Sequence, residues 1–253
     1  MAWHKEGKRH GKAAKGIKTG RNIPAIPPAW TNVSFYSDKP YIATGLDSKK
    51  RLQYLYPKTL SLSNAGKKFR RVARLQENKE QILNKVIKDV EKNNPEAEAV
   101  YTMYKTGFRP GSDKDTKAKK PAFGTTTLLK RHVKLKPKNE LEFDFIGKKG
   151  IKVHKNIKDK RLHNIISGNL KNPKLFNTDS DKVRRYFDKK TSGKYQLKDL
   201  RTLRAFEIAD EELKKVRKRE PEEAKKIVAE VVSKELGNTP AITISSYIKP
   251  KLE

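Results

Sequence analysis

Cysteine is absent from the 253 residues of this sequence. Its absence excludes disulfides, cysteine-based zinc sites and thiol nucleophiles, so covalent chemistry has to use an oxygen or nitrogen group. The sequence also has no apolar run approaching the roughly 18 residues of a membrane span, and its first residues lack the apolar stretch of a signal peptide. We therefore expect an intracellular protein that does not cross a membrane.

Acidic residues are scarce relative to basic ones: 29 Asp and Glu stand against 60 Lys and Arg, which leaves a net charge of +31. The first twenty residues hold only a small part of this excess, so the basicity belongs to the whole chain. A charge of this sign and size favours a polyanionic partner, either nucleic acid or an acidic membrane face. Hydrophobic residues make up only 34% of the chain, but they include nine Phe, nine Tyr and two Trp, enough for a packed core.

Patterns typical of metal and nucleotide sites are also missing. The glycine-containing segment 107–114 lacks the spacing of a phosphate-binding P-loop. Asp179 and Asp181 are not followed by the glycine and glutamate of a calcium loop, and His154 and His163 have no partner ligands at metal-site spacing. We predict that the protein needs neither a metal nor a cofactor.

The first part of the chain divides into a basic arm and a small domain. Residues 1–21 show no hydrophobic period and are predicted to form a mobile arm that follows phosphates or is simply solvated. Residues 22–94 are predicted to form a β-rich domain followed by a connector helix that ends before Pro95. The short β-rich runs, separated by turn signals, are Thr31–Phe35, Tyr41–Thr44 and Arg51–Tyr56.

Residues 95–253 are predicted to form a second, mainly α-helical domain with a small sheet. The strand signals are Thr125–Leu129, Val133–Leu135, Leu141–Ile146 and Ile151–His154. The helical signals are Glu96–Lys105, Ile157–Ser167, Asp179–Lys190, Leu197–Lys218 and Pro221–Leu236. The sequence as a whole therefore predicts an α+β fold.

Several short motifs occur in a fixed order along both domains. In the second domain they are Thr-Gly-Phe-Arg-Pro-Gly-Ser at 106–112, Phe123–Val133, Phe-Asp-Phe-Ile-Gly-Lys-Lys-Gly at 143–150, Lys-Asp-Leu-Arg-Thr at 198–202, Leu-Gly-Asn-Thr-Pro at 236–240 and Ser-Ser-Tyr-Ile at 245–248. In the first domain they are Pro28–Val33 and Gly45–Tyr56. Together they resemble the type IB DNA topoisomerases, in their compact poxvirus-like and bacterial branch, over about residues 22–250.

The resemblance implies a fold and a set of catalytic residues. It implies a small β-rich DNA-clamp domain before a mainly α catalytic domain with a β-hairpin sheet. Tyr247 is then the nucleophile that attacks DNA, and Arg109 and Arg201 are phosphate ligands, a role that suits planar guanidinium groups. Lys148 is the general acid for the leaving 5′ oxygen. Asn238 stands where many members of the family have histidine, and we interpret it as a neutral phosphate ligand.

The resemblance also implies double-stranded DNA as the partner, no membrane partner, and a monomer clamped around the duplex. The residues expected to contact DNA are Arg51, Gln53, Tyr54, Tyr56, Lys130, Arg131, His132 and Lys149. Lys149 is also the alternative to Lys148 as the general acid. Because side chains alternate along a strand, Gln53 cannot share a face with Tyr54 and Tyr56, and a core role for one of these tyrosines is an equal alternative.

The predicted reaction is relaxation of positive and negative supercoils through a 3′-phosphotyrosyl intermediate, strand rotation and religation, without ATP or metal. One alternative is a tyrosine site-specific recombinase, which shares the order of motifs but typically has His-x-x-Arg where this chain has Lys-Asp-Leu-Arg at 198–201. Another is a noncatalytic basic nucleic-acid-binding protein, which explains the charge but not the ordered motifs.

Overall fold

The computed structural model of the chain describes residues 2–5, 26–36 and 38–252. The chain forms two compact units, Met1–Lys68 and Phe69–Glu253. Helices and strands occur in both, which confirms the predicted α+β class. The functional domains proposed from the sequence, 1–21, 22–94 and 95–253, stay predictions.

The first unit contains a four-stranded antiparallel sheet in the order β1-β2-β3-β4. The strands are β1 (Ala2–Lys5), β2 (Thr31–Tyr36), β3 (Ala43–Leu46) and β4 (Leu52–Leu55). β2 to β4 fall on or next to the β-rich runs of the sequence. β1 lies in the expected mobile arm and was not predicted, because its pairing with β2, which sets Ala2 opposite Tyr36, joins distant parts of the chain. The rest of the arm, residue 1 and residues 6–21, lies outside the described residues.

One face of this sheet packs against the segment that precedes β2. Val33 and Phe35 alternate on β2 with more exposed neighbours, as expected for a strand with one buried face. The buried cluster consists of Ile26, Trp30, Val33, Phe35, Ile42 and Ala43. The first unit therefore has a hydrophobic core of its own.

The second unit contains most of the helices, with α1 spanning the division between the units. The helices are α1 (Lys58–Glu77), α2 (Lys79–Val90), α3 (Pro95–Thr106), α4 (Asp113–Thr116), α5 (Lys160–Asn169), α6 (Ser180–Thr191), α7 (Asp199–Val216) and α8 (Pro221–Leu236). α3 shows why the boundaries fall where they do. The Asn94 side chain accepts from the Ala97 N–H, Pro95 occupies the first turn, and Gly107 ends the helix with φ 70°.

The second unit also contains a three-stranded antiparallel sheet in the order β5-β6-β7. The strands are β5 (Val133–Lys136), β6 (Glu140–Ile146) and β7 (Lys152–Lys158). β6 and β7 form a hairpin with Ile146 opposite Lys152, and a short 3₁₀ turn, Lys148–Gly150, closes its tip. Phe143 and Phe145 of β6 are buried, so one face of the hairpin faces the core of the unit.

Two segments differ from the sequence-based expectation. Thr125–Thr127 forms a 3₁₀ turn where a strand was predicted, because its backbone and side chains bond to a neighbouring loop rather than to a strand. The predicted helix from Ile157 begins later, since Ile157 still belongs to β7 and Asp159 caps α5 by accepting from the Leu162 N–H at 2.8 Å.

After α8 the chain forms α9 (Pro240–Thr243), a π-helical segment (Ile244–Ile248) and α10 (Lys249–Leu252). Ile248 of the π-helical segment is fully buried against α7 and α8, in a cluster that includes Ala205, Ile208, Val228 and Val232. In the part of the chain that the structure describes, no helix is both long and apolar enough to cross a membrane.

Candidate active site

The hydroxyl of Tyr247 lies between two arginines. Arg201 Nε donates to the Tyr247 hydroxyl oxygen at 3.2 Å, and Arg109 Nη2 donates to it at 3.4 Å. The Arg201 guanidinium carbon also lies 5.4 Å from the centroid of the Tyr247 ring. Three residues that the sequence singled out, from three separate motifs, therefore meet at one phenol oxygen.

Arg201 is held by backbone carbonyls from two other elements. It is the third residue of α7 and only 7% exposed. Its Nη1 donates to the Gly107 carbonyl at 2.6 Å, and its Nη2 donates to the Leu236 carbonyl. Burial of the guanidinium lowers the pKa of Arg201, and the neighbouring charge of Arg109 acts in the same direction. The two carbonyls compensate part of this cost and fix the orientation of the group.

Gly107 provides one of these carbonyls from a backbone position that requires glycine. Its φ is 70°, in the left-handed region, where it ends α3. A Cβ atom at this residue would lie 2.9 Å from Leu236 Cδ2, which is too close for an ordinary contact. The turn that follows brings the chain directly to Arg109.

The loop containing Arg109 is fixed from behind by the 3₁₀ turn at Thr125–Thr127. The Arg109 carbonyl accepts from the Thr125 N–H at 2.8 Å and from the Thr125 hydroxyl at 3.2 Å. The Pro110 carbonyl accepts in the same way from Thr126, at 2.7 Å and 2.9 Å. The run of threonines, which resembled a strand in the sequence, is therefore the support for the first arginine.

Tyr247 is the fourth residue of the π-helical segment and is half-buried. Burial raises the pKa of the Tyr247 phenol, but the charges of Arg201 and Arg109 and their hydrogen bonds to its oxygen together outweigh burial and hold the pKa of Tyr247 below its ordinary value. π-helical segments are rare and are frequent at functional sites. The site therefore contains a phenol that ionises more readily than a solvent-exposed tyrosine.

Asn238 and Lys148 lie at the border of this arrangement. In the orientation that satisfies both atoms of its amide, the Asn238 oxygen accepts from Arg201 Nη2 at 3.1 Å and its nitrogen donates to the Gly237 carbonyl at 3.2 Å. Lys148 is exposed at the hairpin tip and lines a cavity of about 40 Å³ together with Arg109 and Arg201. The same lysine and Arg109 line a second cavity of about 780 Å³.

The other residues of the second unit that are predicted to contact DNA differ in exposure. Lys130, Arg131 and Lys149 are exposed, the last with φ 66° at the hairpin tip. His132 is buried, its Nδ1 accepts from the Leu129 N–H at 3.1 Å, and its ring centroid lies 4.4 Å from that of Phe123. The side chain of His132 is therefore part of the packing behind its two basic neighbours.

In the first unit, the predicted contacts on and beside β4 fall into two groups. Tyr54 and Tyr56 are 45% and 41% exposed and belong to a cluster of aromatic rings with Tyr41. Arg51 and Gln53 both donate to the Asp47 carboxylate, at 2.9 Å and 3.1 Å. The alternation expected for this strand is confirmed.

Two further features of the second unit were not found from the sequence. Asp199, the first residue of α7, accepts from Arg71 and from the Gln196 N–H just before the helix. Lys155 on β7 is buried and ion-paired. The signal for Lys155 was its place on the inward face of an alternating strand, but this is visible only once the register of the hairpin is known.

The prediction that the protein needs no metal stays a prediction, but the structure shows how possible metal ligands are grouped. Among the residues that the structure describes, no group of three or more His, Asp or Glu side chains is placed to hold a metal ion. The charges that face the Tyr247 hydroxyl come from guanidinium groups.

Comparisons with known proteins assign the chain to a family. The family model described as eukaryotic DNA topoisomerase I, catalytic core, matches residues 58–239. This range contains Arg109, Lys148, Arg201 and Asn238, and it ends shortly before Tyr247. A comparison with curated proteins gave no match. The family match favours the topoisomerase interpretation over the recombinase and the noncatalytic alternatives, while the poxvirus-like and bacterial branch stays a prediction. The chain belongs to the eukaryotic DNA topoisomerase I catalytic core family, which confirms the type IB resemblance and makes it a topoisomerase whose substrate is DNA.

Proposed function

We propose that the protein relaxes supercoiled DNA of either sign by cutting and resealing one strand through Tyr247. The observation that supports this most directly is the position of the Tyr247 hydroxyl within hydrogen-bond reach of Arg109 and Arg201. A nucleophile needs to be ionised, and a phosphodiester needs positive charge on its nonbridging oxygens. Two fixed guanidinium groups beside one phenol meet both needs.

In the proposed cleavage step, Tyr247 loses its proton to solvent and its oxygen attacks the scissile phosphorus. The new bond joins the phenol oxygen to phosphorus, and the bond from phosphorus to the 5′ oxygen breaks. Arg109 and Arg201 bind the nonbridging oxygens, and Asn238 adds a neutral hydrogen bond. Lys148 donates a proton to the departing 5′ oxygen, which leaves as a hydroxyl group.

Religation is the reverse of this step. The 5′ hydroxyl returns its proton to Lys148 and its oxygen attacks the phosphorus. The bond from phosphorus to the Tyr247 oxygen breaks, and the released phenolate regains a proton from solvent. Since the tyrosyl ester retains the energy of the phosphodiester, resealing requires no ATP. Between the two steps the free 5′ end rotates and releases superhelical strain.

We propose that the protein acts as a monomer that clamps the duplex, and that the first unit adds DNA contacts of its own. The exposed rings of Tyr54 and Tyr56 offer flat apolar and hydrogen-bonding surface, and exposed lysines and arginines of the second unit offer charge for phosphates. An intracellular, DNA-associated location is part of the same proposal.

The direct test is relaxation of negatively and positively supercoiled plasmid in EDTA, without ATP, by the wild type and by Tyr247→Phe. Relaxation of both plasmids by the wild type alone is the expected result. Equal relaxation by the variant would exclude Tyr247 as the nucleophile. Binding without relaxation by the wild type, over a range of salt concentrations, would support the noncatalytic alternative, and strand exchange between two plasmids would support the recombinase alternative.

A further inference from the structure

A lysine lies on the buried face of the hairpin that ends in Lys148. Lys155 is opposite Phe143 in the β6–β7 register, so both side chains are on the inward face of the sheet. Phe143 is fully buried, and Lys155 is only 7% exposed. The neighbours of Lys155 along β7, His154 and Asn156, are exposed, as the alternation requires.

Lys155 reaches from the hairpin to the end of α8. Its Nζ donates to Glu235 Oε2 at 2.7 Å and to the Glu235 backbone carbonyl at 3.3 Å. The next residue, Leu236, provides the carbonyl that holds Arg201, and Asn238 follows two residues later. The Lys155 ammonium therefore links two elements. One is β7, the strand that follows the Lys148 turn, and the other is the end of α8, whose Leu236 carbonyl orients Arg201.

The hairpin and the end of α8 also meet nearer the tip. A Cβ atom on Gly237 would lie 3.6 Å from Ile151 Cγ2 and 3.9 Å from Val153 Cγ2, ordinary contact distances. The cavity of about 40 Å³ that is lined by Lys148 and Arg201 is also lined by Glu235. A shift of the hairpin against α8 would therefore change the position of Lys148 relative to the arginines.

Packing alone does not account for a charged group at this position. Burial lowers the pKa of Lys155, and the nearby charges of Arg204 and Arg201 act in the same direction, so the ammonium is costly there. An apolar side chain of similar length would cover the same strand without that cost. The Glu235 side chain is 42% exposed, so its attraction for the buried ammonium is weakened by solvent and offsets the cost only in part. What the ion pair adds is a directional link between two elements.

We propose that Lys155 is a positioning residue for the proton-donating step: its ion pair with Glu235 sets the hairpin, and with it Lys148, against the pocket of Arg109 and Arg201. This inference rests on the proposed function, in which Lys148 protonates the leaving 5′ oxygen. Lys155 itself does not touch DNA in this account.

The test compares two oligonucleotide substrates that differ in one atom. In one, the leaving 5′ atom at the scissile phosphate is oxygen; in the other it is sulfur, which departs as a thiolate without a proton donor. A loss of proton donation slows cleavage of the oxygen substrate alone, by about 10²- to 10⁴-fold for a complete loss. Covalent complex formation is measured in a single turnover for the wild type, Lys148→Ala, Lys155→Met, and Lys158→Met as the matched control, because Lys158 is exposed on the same strand.

Lys155→Met is expected to slow cleavage of the oxygen substrate by about 10- to 100-fold, part of the range for a lost proton donor, and to leave the sulfur substrate near the wild-type rate. The double variant Lys148→Ala/Lys155→Met is expected to be no slower than Lys148→Ala, because both changes remove the same contribution. Lys158→Met is expected to behave as the wild type on both substrates.

Equal losses of Lys155→Met on both substrates, or no loss on either, would overturn the proposal. Equal losses would show that Lys155 acts through folding or through the arginines. If Lys148→Ala itself shows no preference for sulfur, the assignment of Lys148 in the proposed function fails as well. If Lys148→Ala shows the preference and Lys155→Met does not, only the role of Lys155 is wrong.

Discussion

Arg71 and Asp199 form a two-point ion pair at the start of α7. Arg71 Nε donates to Asp199 Oδ2 at 2.6 Å, and Arg71 Nη2 donates to Asp199 Oδ1 at 2.9 Å. Asp199 is fully buried and also accepts from the Gln196 N–H at 2.8 Å. This pair fixes the first residue of the helix whose third residue is Arg201.

Replacing Arg71 with Met is expected to destabilise the protein by about 3–5 kcal/mol, because it leaves the Asp199 carboxylate buried without its cation. The measurement is the free energy of unfolding from urea titrations. Arg74→Met is the control, since Arg74 is an exposed arginine on the same helix. A loss for Arg71→Met no larger than that of the control would show that the ion pair does not stabilise this helix start.

Gly124→Ala is expected to reduce activity by moving the loop that holds Arg109. A Cβ atom at this position would lie 2.6 Å from the Arg109 carbonyl oxygen and 2.6 Å from the Gly111 nitrogen, both backbone atoms. We expect single-turnover cleavage to fall by at least about 10²-fold, the cost of misplacing a catalytic group by roughly 1 Å. Gly168→Ala is the control, because a Cβ atom there meets nothing within 4 Å. Wild-type cleavage by Gly124→Ala would contradict the role given to this contact.

The phenol of Tyr247 is expected to ionise at lower pH than an ordinary tyrosine. The charges of two guanidinium groups and their hydrogen bonds together favour the phenolate more than burial opposes it, so the pKa of Tyr247 is lowered. The difference between ultraviolet pH titrations of the wild type and Tyr247→Phe isolates this phenol. Arg109→Ala is expected to move its midpoint upward, because one of the charges is gone. A midpoint at or above the ordinary value in the wild type would contradict this electrostatic account.

A buried hydroxyl beneath the tyrosine segment offers a test of stability without catalysis. Thr243 is fully buried, and its Oγ1 has no hydrogen-bond partner among the described residues. Thr243→Val keeps the shape and removes the unpaired group, so we expect it to stabilise the fold by about 1 kcal/mol.

Thr106→Val is the contrasting variant. Thr106 is equally buried, but its hydroxyl donates to the Thr102 carbonyl at 2.6 Å and accepts from the Phe108 N–H at 3.1 Å. Its loss is expected to destabilise by about 1–2 kcal/mol. Thermal unfolding compares the two, and destabilisation by Thr243→Val would show that this hydroxyl is satisfied in solution.

Local patterns in the sequence predicted much of the fold. Apolar spacing predicted α6 and α8, and alternation with a Gly-Lys-Lys-Gly turn predicted the β6–β7 hairpin. The single connector helix predicted before Pro95 is two helices, α1 and α2. Long-range effects account for the errors. The threonines at 125–127 have strand propensity but bond to the Arg109 loop, and β1 forms only by pairing with a strand far along the chain.

The candidate site was predictable to the extent that the motif order identified its members. That order named Arg109, Arg201 and Tyr247, but not their contacts, which link residues 138 and 46 positions apart. Arg71 and Lys155 were missed for the same reason, since each acts through a partner distant in sequence. A single basic residue in a chain with 60 of them gives no local signal of burial.

The central claim is that Tyr247 becomes linked to the 3′ end of the cut strand. The most direct measurement traps the covalent complex on a short duplex whose downstream fragment diffuses away, digests the protein, and identifies the peptide attached to DNA by mass spectrometry. The account predicts a peptide containing Tyr247, joined through its oxygen to a 3′ phosphate, with a 5′ hydroxyl on the released fragment. Attachment at another residue, or through a 5′ phosphate, would contradict it.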